Sequence, residues 1–310
     1  MPTICVGNIT VGGTGKTPHT EMILRLLQDS DRWGNSQLAV LSRGYKRKSK
    51  GFQLVQRDST AAFAGDEPLQ IKRKFPAVTV AVDKNRVEGC MKLAADGSEI
   101  VVLDDAFQYK KLHASLNIVL VNWNRPLAGD RLLPFGRLRD LPSRIADADI
   151  VIVTKCPYEP NEEERAAWAA ELPVREGQKL FFTKIDYCDP VPVWPEEADP
   201  RYNYSKTVIL FSGIADDSQF RAHLSDTYKI VDVLSFADHH AFSRADMRRV
   251  AAAIRRYPTA ALLTTEKDAV RVLDCKKVDE SIRKRLFAVP VKASFVNEAD
   301  LEAFQSILFK

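Results

Sequence analysis

The sequence has no long apolar run, no closely spaced cysteine pair and no strong excess of either charge, and each of these gaps closes off a class of protein. No stretch of the 310 residues approaches the roughly 18 to 20 consecutive apolar residues that a transmembrane helix requires, so none is expected in the chain as given. The five cysteines, Cys5, Cys90, Cys156, Cys188 and Cys275, are odd in number, far apart and without a CxxC spacing. Neither a disulfide framework nor a zinc site is implied, and a reducing compartment fits them best. Lys and Arg total 45 against 41 Asp and Glu, a net charge of +4. That is too small and too dispersed to predict nucleic-acid binding, although anionic ligands remain open. A secretory leader is not expected either, because Thr3-Ile4-Cys5-Val6 reads as a core strand starting within two residues of Met1.

What is present is ordinary globular composition, 45% hydrophobic and 28% charged with 14 Gly and 16 Pro, long enough for one large α/β domain or two smaller ones. Short β-branched runs alternate with helical patterns, the signature of a mostly parallel sheet flanked by helices. Strands are predicted at 3–6, 38–42, 78–82, 100–103, 117–122 and 150–154, with a helix over 18–28 completing a first βαβ unit. After Phe182 comes a stretch carrying Pro190, Pro192, Pro195 and Pro200, which reads as an extended connection. The expected organisation is therefore a first domain over 1–188, a linker over 189–205 and a smaller α/β domain over 206–310. Within the last, strands are predicted at 207–212, 228–235, 260–264 and 286–291, with helices over 216–224 and 244–257; the final helix is allowed to pack back on the first domain.

The strongest motif is Gly12-Gly13-Thr14-Gly15-Lys16-Thr17, between a strand and a helix as a phosphate-binding P-loop requires. Glycines let the backbone curl so that N–H groups face phosphate oxygens. The helix N-terminus adds positive potential, Lys16 reaches the β and γ phosphates, and the Thr17 hydroxyl can ligate Mg2+. The usual pattern expects glycine at position 10, where this chain has Thr10. Thr10 and Val11 complete the predicted nucleotide-binding segment, and the cofactors expected are ATP and Mg2+. A carboxylate at the end of a neighbouring strand must help hold the metal, and Ile100-Val101-Val102-Leu103-Asp104-Asp105 supplies two. The plainer alternative is that these aspartates only cap the next turn of the chain. Two function classes compete at this point. A switch or scaffold ATPase of the partitioning type places a second lysine just before the glycines, where this chain has Val11. A small-molecule or lipid kinase needs the same cradle plus an acceptor site and a base.

Further segments make the match specific: Val6-Gly7-Asn8-Ile9-Thr10, Ser42-Arg43-Gly44-Tyr45, Gly65-Asp66-Glu67-Pro68, Asp104-Asp105-Ala106-Phe107-Gln108, Leu132-Leu133-Pro134 through Arg139, Phe236-Ala237-Asp238-His239 and Thr265-Glu266-Lys267-Asp268. With these the chain resembles the tetraacyldisaccharide 4'-kinase family of lipid A biosynthesis, in family order over nearly its whole length. It departs at Ala106 and Tyr109, where the family usually has Gly and His. The family's N-terminal hydrophobic anchor helix is also missing, which we read as truncation or a late start codon. The resemblance implies a large P-loop domain with a smaller C-terminal α/β domain. It also implies ATP-dependent phosphorylation of the 4'-hydroxyl of a tetraacylated glucosamine disaccharide 1-phosphate at the cytoplasmic face of the inner membrane, with lipid as partner, no nucleic acid and no obligate protein partner.

The resemblance further implies that Asp66 is the general base and that Glu67 helps with magnesium or site charge, although on spacing alone the pair reads as a helix cap with an acidic first turn. It makes His239 the partner of that base across a domain cleft, with His240 the weaker candidate. A phosphoesterase reading of Asp238-His239-His240 lacks the aspartate-rich metal cluster near the N-terminus that such a fold needs. Arg139 is expected at substrate or phosphate, where a guanidinium offers a bidentate fork, and Arg43 at the carboxyl end of the second strand is expected to contact the same groups. The basic run Lys46, Arg47, Lys48 and Lys50 reads as a solvated loop, with attraction to anionic lipid as the alternative. Thr265 to Asp268 receives no role.

Overall fold

The computed structural model describes residues 1–30, 32–34 and 37–309. The chain forms two compact units, one of Met1–Asp186 with Lys292–Lys310 and one of Tyr187–Val291.

The first unit contains β1 (Thr3–Gly7), α1 (Lys16–Gln28), β2 (Leu38–Ser42), β3 (Gln53–Leu54), α2 (Ala61–Ala64), α3 (Asp66–Lys74), β4 (Thr79–Val82), α4 (Arg86–Ala95), β5 (Ile100–Asp104), β6 (Leu116–Asn122), β7 (Ile150–Thr154), α5 (Glu162–Glu171) and β8 (Lys179–Tyr187). After the second unit, with its β9 (Val191–Pro192), β10 (Thr207–Ser212), α6 (Ser218–Thr227), β11 (Lys229–Ser235), α7 (Arg244–Arg256), β12 (Ala261–Thr265), α8 (Glu266–Leu273), α9 (Glu280–Arg283) and β13 (Leu286–Val289), the chain returns through β14 (Val291–Phe295) and α10 (Glu298–Leu308). The nine-stranded sheet of the first unit runs β14-β8-β7-β6-β1-β5-β2-β4-β3. From β8 to β4 the strands run parallel to one another, and β3 pairs antiparallel with β4 at one edge. Every residue of β1, β2, β5 and β7 is buried, as expected of parallel strands covered on both faces. Because β1 lies between β5 and β6, with Val6 beside Asp104 and Gly7 beside Val119, the loops after β1, β2, β5 and β6 all leave the same edge of the sheet. Open α/β folds bind ligands at that edge.

The second unit's sheet runs β11-β10-β12-β13-β9, parallel except for β9, which pairs antiparallel with β13 through Val191–Ala288 and Pro192–Phe287. This corrects the expected linker over 189–205. Proline is tolerated at a sheet edge, where no ladder donor is needed, so Pro192 occupies an edge strand. The following residues are tied in as well, Val193 N–H to the Leu286 carbonyl and Asp199 N–H to that of Lys284. The expected single strand over 286–291 is likewise two strands in different sheets, divided at Pro290. The domain expected to reach residue 310 therefore ends at Val291.

No helix among the described residues is long and apolar enough to cross a membrane. α10 instead completes the first unit's core. Phe304 is fully buried, with its ring centroid 5.7 Å from that of Phe181 and 5.0 Å from that of Phe295. Phe304→Ala should therefore cost about 3–5 kcal/mol, the usual loss when a large aromatic leaves a packed core. Urea unfolding checks this, and a loss below about 1 kcal/mol would mean that α10 does not seat in the core.

Candidate active site

The P-loop joins β1 to α1, and Gly12, Gly13 and Gly15 all adopt positive φ, 57°, 73° and 80°, which side chains with a Cβ rarely tolerate. Three consecutive carbonyls along this curl are held from outside. The Asn122 side-chain amide donates to the Gly13 carbonyl at 3.0 Å, the Thr154 hydroxyl to the Thr14 carbonyl at 2.9 Å, and His19 Nδ1 lies 2.7 Å from the Gly15 carbonyl. In a planar trans peptide the next N–H points opposite the carbonyl. The N–H groups of Thr14, Gly15 and Lys16 are thereby turned away from these tethers, as a phosphate cradle needs. A carbonyl only accepts, so His19 Nδ1 carries the proton, and Nε2 accepts from the Thr183 hydroxyl at 2.8 Å. Complete burial pushes the His19 pKa down to about 4, so the ring is neutral at neutral pH. Asn122, Thr154 and His19 are not among the expected site residues; His19 alone carries a sequence signal, one turn into the P-loop helix.

Asn8, fully buried, organises the mouth of the loop. Its Nδ2 donates to Thr14 Oγ1 at 2.8 Å and Thr10 Oγ1 at 3.4 Å, while Oδ1 accepts from Lys16 Nζ at 3.3 Å and from Arg139 Nη2. Thr10 also bridges to Leu138, and Val11 N–H donates to the Arg137 carbonyl. The segment carrying Arg139 is thus fastened to the P-loop. Arg139 makes a two-pronged contact with Asp105, at 3.1 and 2.6 Å, and Lys16 Nζ approaches the same carboxylate at 3.7 Å. The expected nucleotide residues and Asp105 therefore converge, and Arg139 faces Asp105 here. Thr17 sits half-buried in the first turn of α1.

The two aspartates ending β5 differ sharply. Burial raises Asp105, but the Arg139 hydrogen bond, Lys16 and Arg86 outweigh it and hold the carboxyl below its ordinary range. Asp104 is buried completely and pushed up to about 7, first by desolvation and then by the negative charges of Glu67 and Asp105, with Lys16 and Arg86 opposing. It accepts from Thr20 Oγ1 at 3.4 Å and Ser42 Oγ at 3.3 Å. Glu67 thereby belongs to the same electrostatic group. Asp66 is the first residue of α3, where Gly65 occupies the capping position and makes no side-chain cap. A Cβ on Gly65 would lie 3.3 Å from Gly44 Cα, so this bare backbone lets the turn after exposed Arg43 lie against the start of α3.

In the second unit His239 adopts positive φ, 59°. Its backbone N–H donates to the Gly213 carbonyl, Nδ1 lies 3.3 Å from Arg271 Nη2 and Nε2 3.3 Å from Lys267 Nζ. His240 is occupied elsewhere: its Nε2 is 2.9 Å from Asp246 Oδ2, the carboxylate of the capping box that starts α7.

Comparison with known proteins decides the family. The sequence model described as "Tetraacyldisaccharide-1-P 4'-kinase" matches residues 1–308. The chain belongs to the tetraacyldisaccharide-1-P 4'-kinase family. A tetraacyldisaccharide 4'-kinase of Phocaeicola vulgatus is 38% identical over 99% of this chain and 84% of its own length, and one of Flavobacterium johnsoniae is 40% identical over 96% and 84%. Among solved structures, LpxK of Aquifex aeolicus, determined in complex with ATP, matches with TM-score 0.71 and 30% identity over 100% of this chain and 89% of that one. The mostly parallel fold and the P-loop kinase reading of this family member therefore stand.

A pH dependence is expected of this kinase. Because the folded-state pKa of Asp104 lies above its ordinary value of 3.8, the folded protein binds that proton more tightly than the unfolded chain, and the group's contribution to stability declines as pH rises from about 4 to about 7. Asp104→Asn, which imitates the protonated form, should melt above the wild type at pH 8, with the gap closing toward pH 4. Thermal melts across that range check it, and a gap that does not change with pH would overturn the assignment.

Proposed function

We propose that this chain transfers the γ-phosphoryl group of ATP to the 4'-hydroxyl of a tetraacylated glucosamine disaccharide 1-phosphate, in lipid A biosynthesis. The observation that carries the reading is the P-loop whose three carbonyls are held back while Lys16 Nζ stands 3.7 Å from the carboxylate of Asp105, just past β5. In the proposed reaction the loop N–H groups and Lys16 bind the phosphates. Asp66 accepts the hydroxyl proton as the sugar oxygen forms its bond to the γ-phosphorus and the bond to the ADP oxygen breaks. His239 supports Asp66. Arg43 and Arg139 bind phosphate or substrate, Arg139 by exchanging a prong of its contact with Asp105.

The residues present suit magnesium of one kind only. Among the described residues no group of three or more His, Cys, Asp and Glu side chains is arranged to hold a metal, so a cage made by protein alone does not fit. Mg2+ commonly keeps its waters and takes one or two carboxylates plus nucleotide phosphates. Asp104 and Asp105, with Glu67 close enough to raise Asp104 and Thr17 beside the loop, form such a partial set. When bound, the ion neutralises phosphate charge.

A lipid acceptor implies work at a membrane surface, and we place it at the cytoplasmic face of the inner membrane. The support is chemical. The sheet edge that bears the P-loop also bears the basic run Lys46–Lys50 and the segment with exposed Leu132, Leu133 and Phe135, a cationic loop and an apolar one of the kind that anionic interfaces attract.

Incubation with ATP, Mg2+ and the disaccharide 1-phosphate lipid should yield a bis-phosphorylated product by mass; release of free phosphate alone would favour the switch ATPase. Asp66→Ala should lower kcat by about 10² to 10⁴, the range for a lost general base, with ATP affinity near normal. An unchanged kcat would remove Asp66 from the mechanism.

A further inference from the structure

The motif Thr265-Glu266-Lys267-Asp268 opens α8, and its Asp268 is fastened to Gly213, whose carbonyl accepts the His239 N–H, while Lys267 lies against the His239 ring. Thr265 caps the helix, accepting from the Asp268 N–H and donating its hydroxyl to Asp268 Oδ2 at 2.8 Å. The same carboxylate, fully buried, accepts the Gly213 N–H at 3.0 Å and pairs with Arg271 at 2.8 Å. Arg271, 4% exposed, uses one end of its guanidinium twice, donating Nη1 to Asp268 and to the Gly213 carbonyl at 2.9 Å. Its other end, Nη2, stands 3.3 Å from His239 Nδ1. Gly213 is closely surrounded, since a Cβ there would press on the Ala237 carbonyl oxygen and Asp268 Oδ1, both at 3.2 Å.

Both ring nitrogens of His239 thus face nitrogen donors, Arg271 at Nδ1 and Lys267 at Nε2. A neutral imidazole has one N–H and one lone pair, so it can accept from only one of the two. Arg271 is buried, always charged and fixed by Asp268 and Gly213, whereas Lys267 is half-exposed on a flexible stem. Resting on the reading that His239 serves the base, we propose that Arg271, locked by Asp268, is a positioning residue that holds His239 as the Nε2–H tautomer. The guanidinium takes the Nδ1 lone pair, and the proton stays on Nε2. Asp238 Oδ2, 3.8 Å from Nε2, favours a proton on that side. Only an N–H can donate to a carboxylate, so in the proposed role, with the base met at Nε2, this tautomer offers the donor and the opposite one would present a lone pair there. The unassigned motif thereby acquires a purpose beyond capping α8.

The test separates the fork's two ends. Arg271→Lys keeps a cation for Asp268 but lacks the second prong. With histidine nitrogens labelled in the full chain, which has five His, the wild type should show His239 protonated at Nε2 in its imidazole 15N shifts, and Arg271→Lys should shift that population toward Nδ1–H. kcat should fall roughly tenfold or more while KM for ATP stays within about twofold, the pattern of a lost transition-state contact. Arg271→Met with Asp268→Asn, which leaves no unpaired buried charge, should behave alike if the single variant folds poorly. A wild-type ring protonated at Nδ1 would assign the contact to Lys267 and overturn the proposal, as would unchanged tautomer and kcat in both variants. If His239→Ala itself leaves kcat unchanged, the supporting role of His239 fails instead, and the tautomer measurement still decides whether Arg271 positions the ring.

Discussion

Everything at this site depends on a stretch of backbone being curled the wrong way for an ordinary helix entry and kept there. Glycines make the curl possible, but permission is not enforcement. Enforcement comes from Asn122 at the end of β6, Thr154 at the end of β7 and His19 in α1, each donating to one carbonyl of Gly13, Thr14 or Gly15. With three carbonyls bound on one side, the N–H groups of the following peptides are committed to the other, and their positive ends are organised before any phosphate arrives. Such preorganisation is worth more than donors that must be gathered during binding.

The charges around that cradle are graded. Asp105 is paired with Arg139 and Lys16 and stays ionised, while its neighbour Asp104, one residue earlier and on the buried side of the strand end, is pushed toward the neutral form by burial and by Glu67. The difference arises because the chain turns at once: Asp105 takes positive φ, 52°, and swings outward from a strand whose last residue points in. A site built to receive the negative charge of ATP with a cation can tolerate excess carboxylate that a resting core would not. That tolerance costs stability.

The second unit is built on the same principle around His239, which also takes positive φ. Strain of this kind persists only where surrounding contacts over-determine it, and here Gly213, Asp268 and Arg271 form a closed set of hydrogen bonds beneath the histidine loop. His240, its sequence neighbour, is committed to the α7 cap.

Most of the buried strands, the P-loop, the adjacent aspartates and the family were legible because each is written in local signals, β-branched runs, a glycine-rich turn before a helix and motifs in fixed order, whereas β8 and β3 were not among the expected strands. The predicted strands at 38–42, 150–154 and 207–212 coincide with β2, β7 and β10. What local pattern could not carry was partnership between distant residues. Pro192 reads as a linker residue until β13 supplies the edge on which its missing N–H does no harm, and the run 286–291 reads as one strand until its two halves pair in different sheets. Asn122, Thr154 and His19 form no motif, since an amide, a hydroxyl and an imidazole become loop tethers only when three separate elements bring them to consecutive carbonyls. The place of the phosphate loop is readable in six adjacent residues, Gly12 to Thr17. Which way the loop's donors face, and which aspartate is pushed toward its neutral form, emerge only on folding, because both depend on groups far apart in the chain and on burial that no unfolded segment possesses.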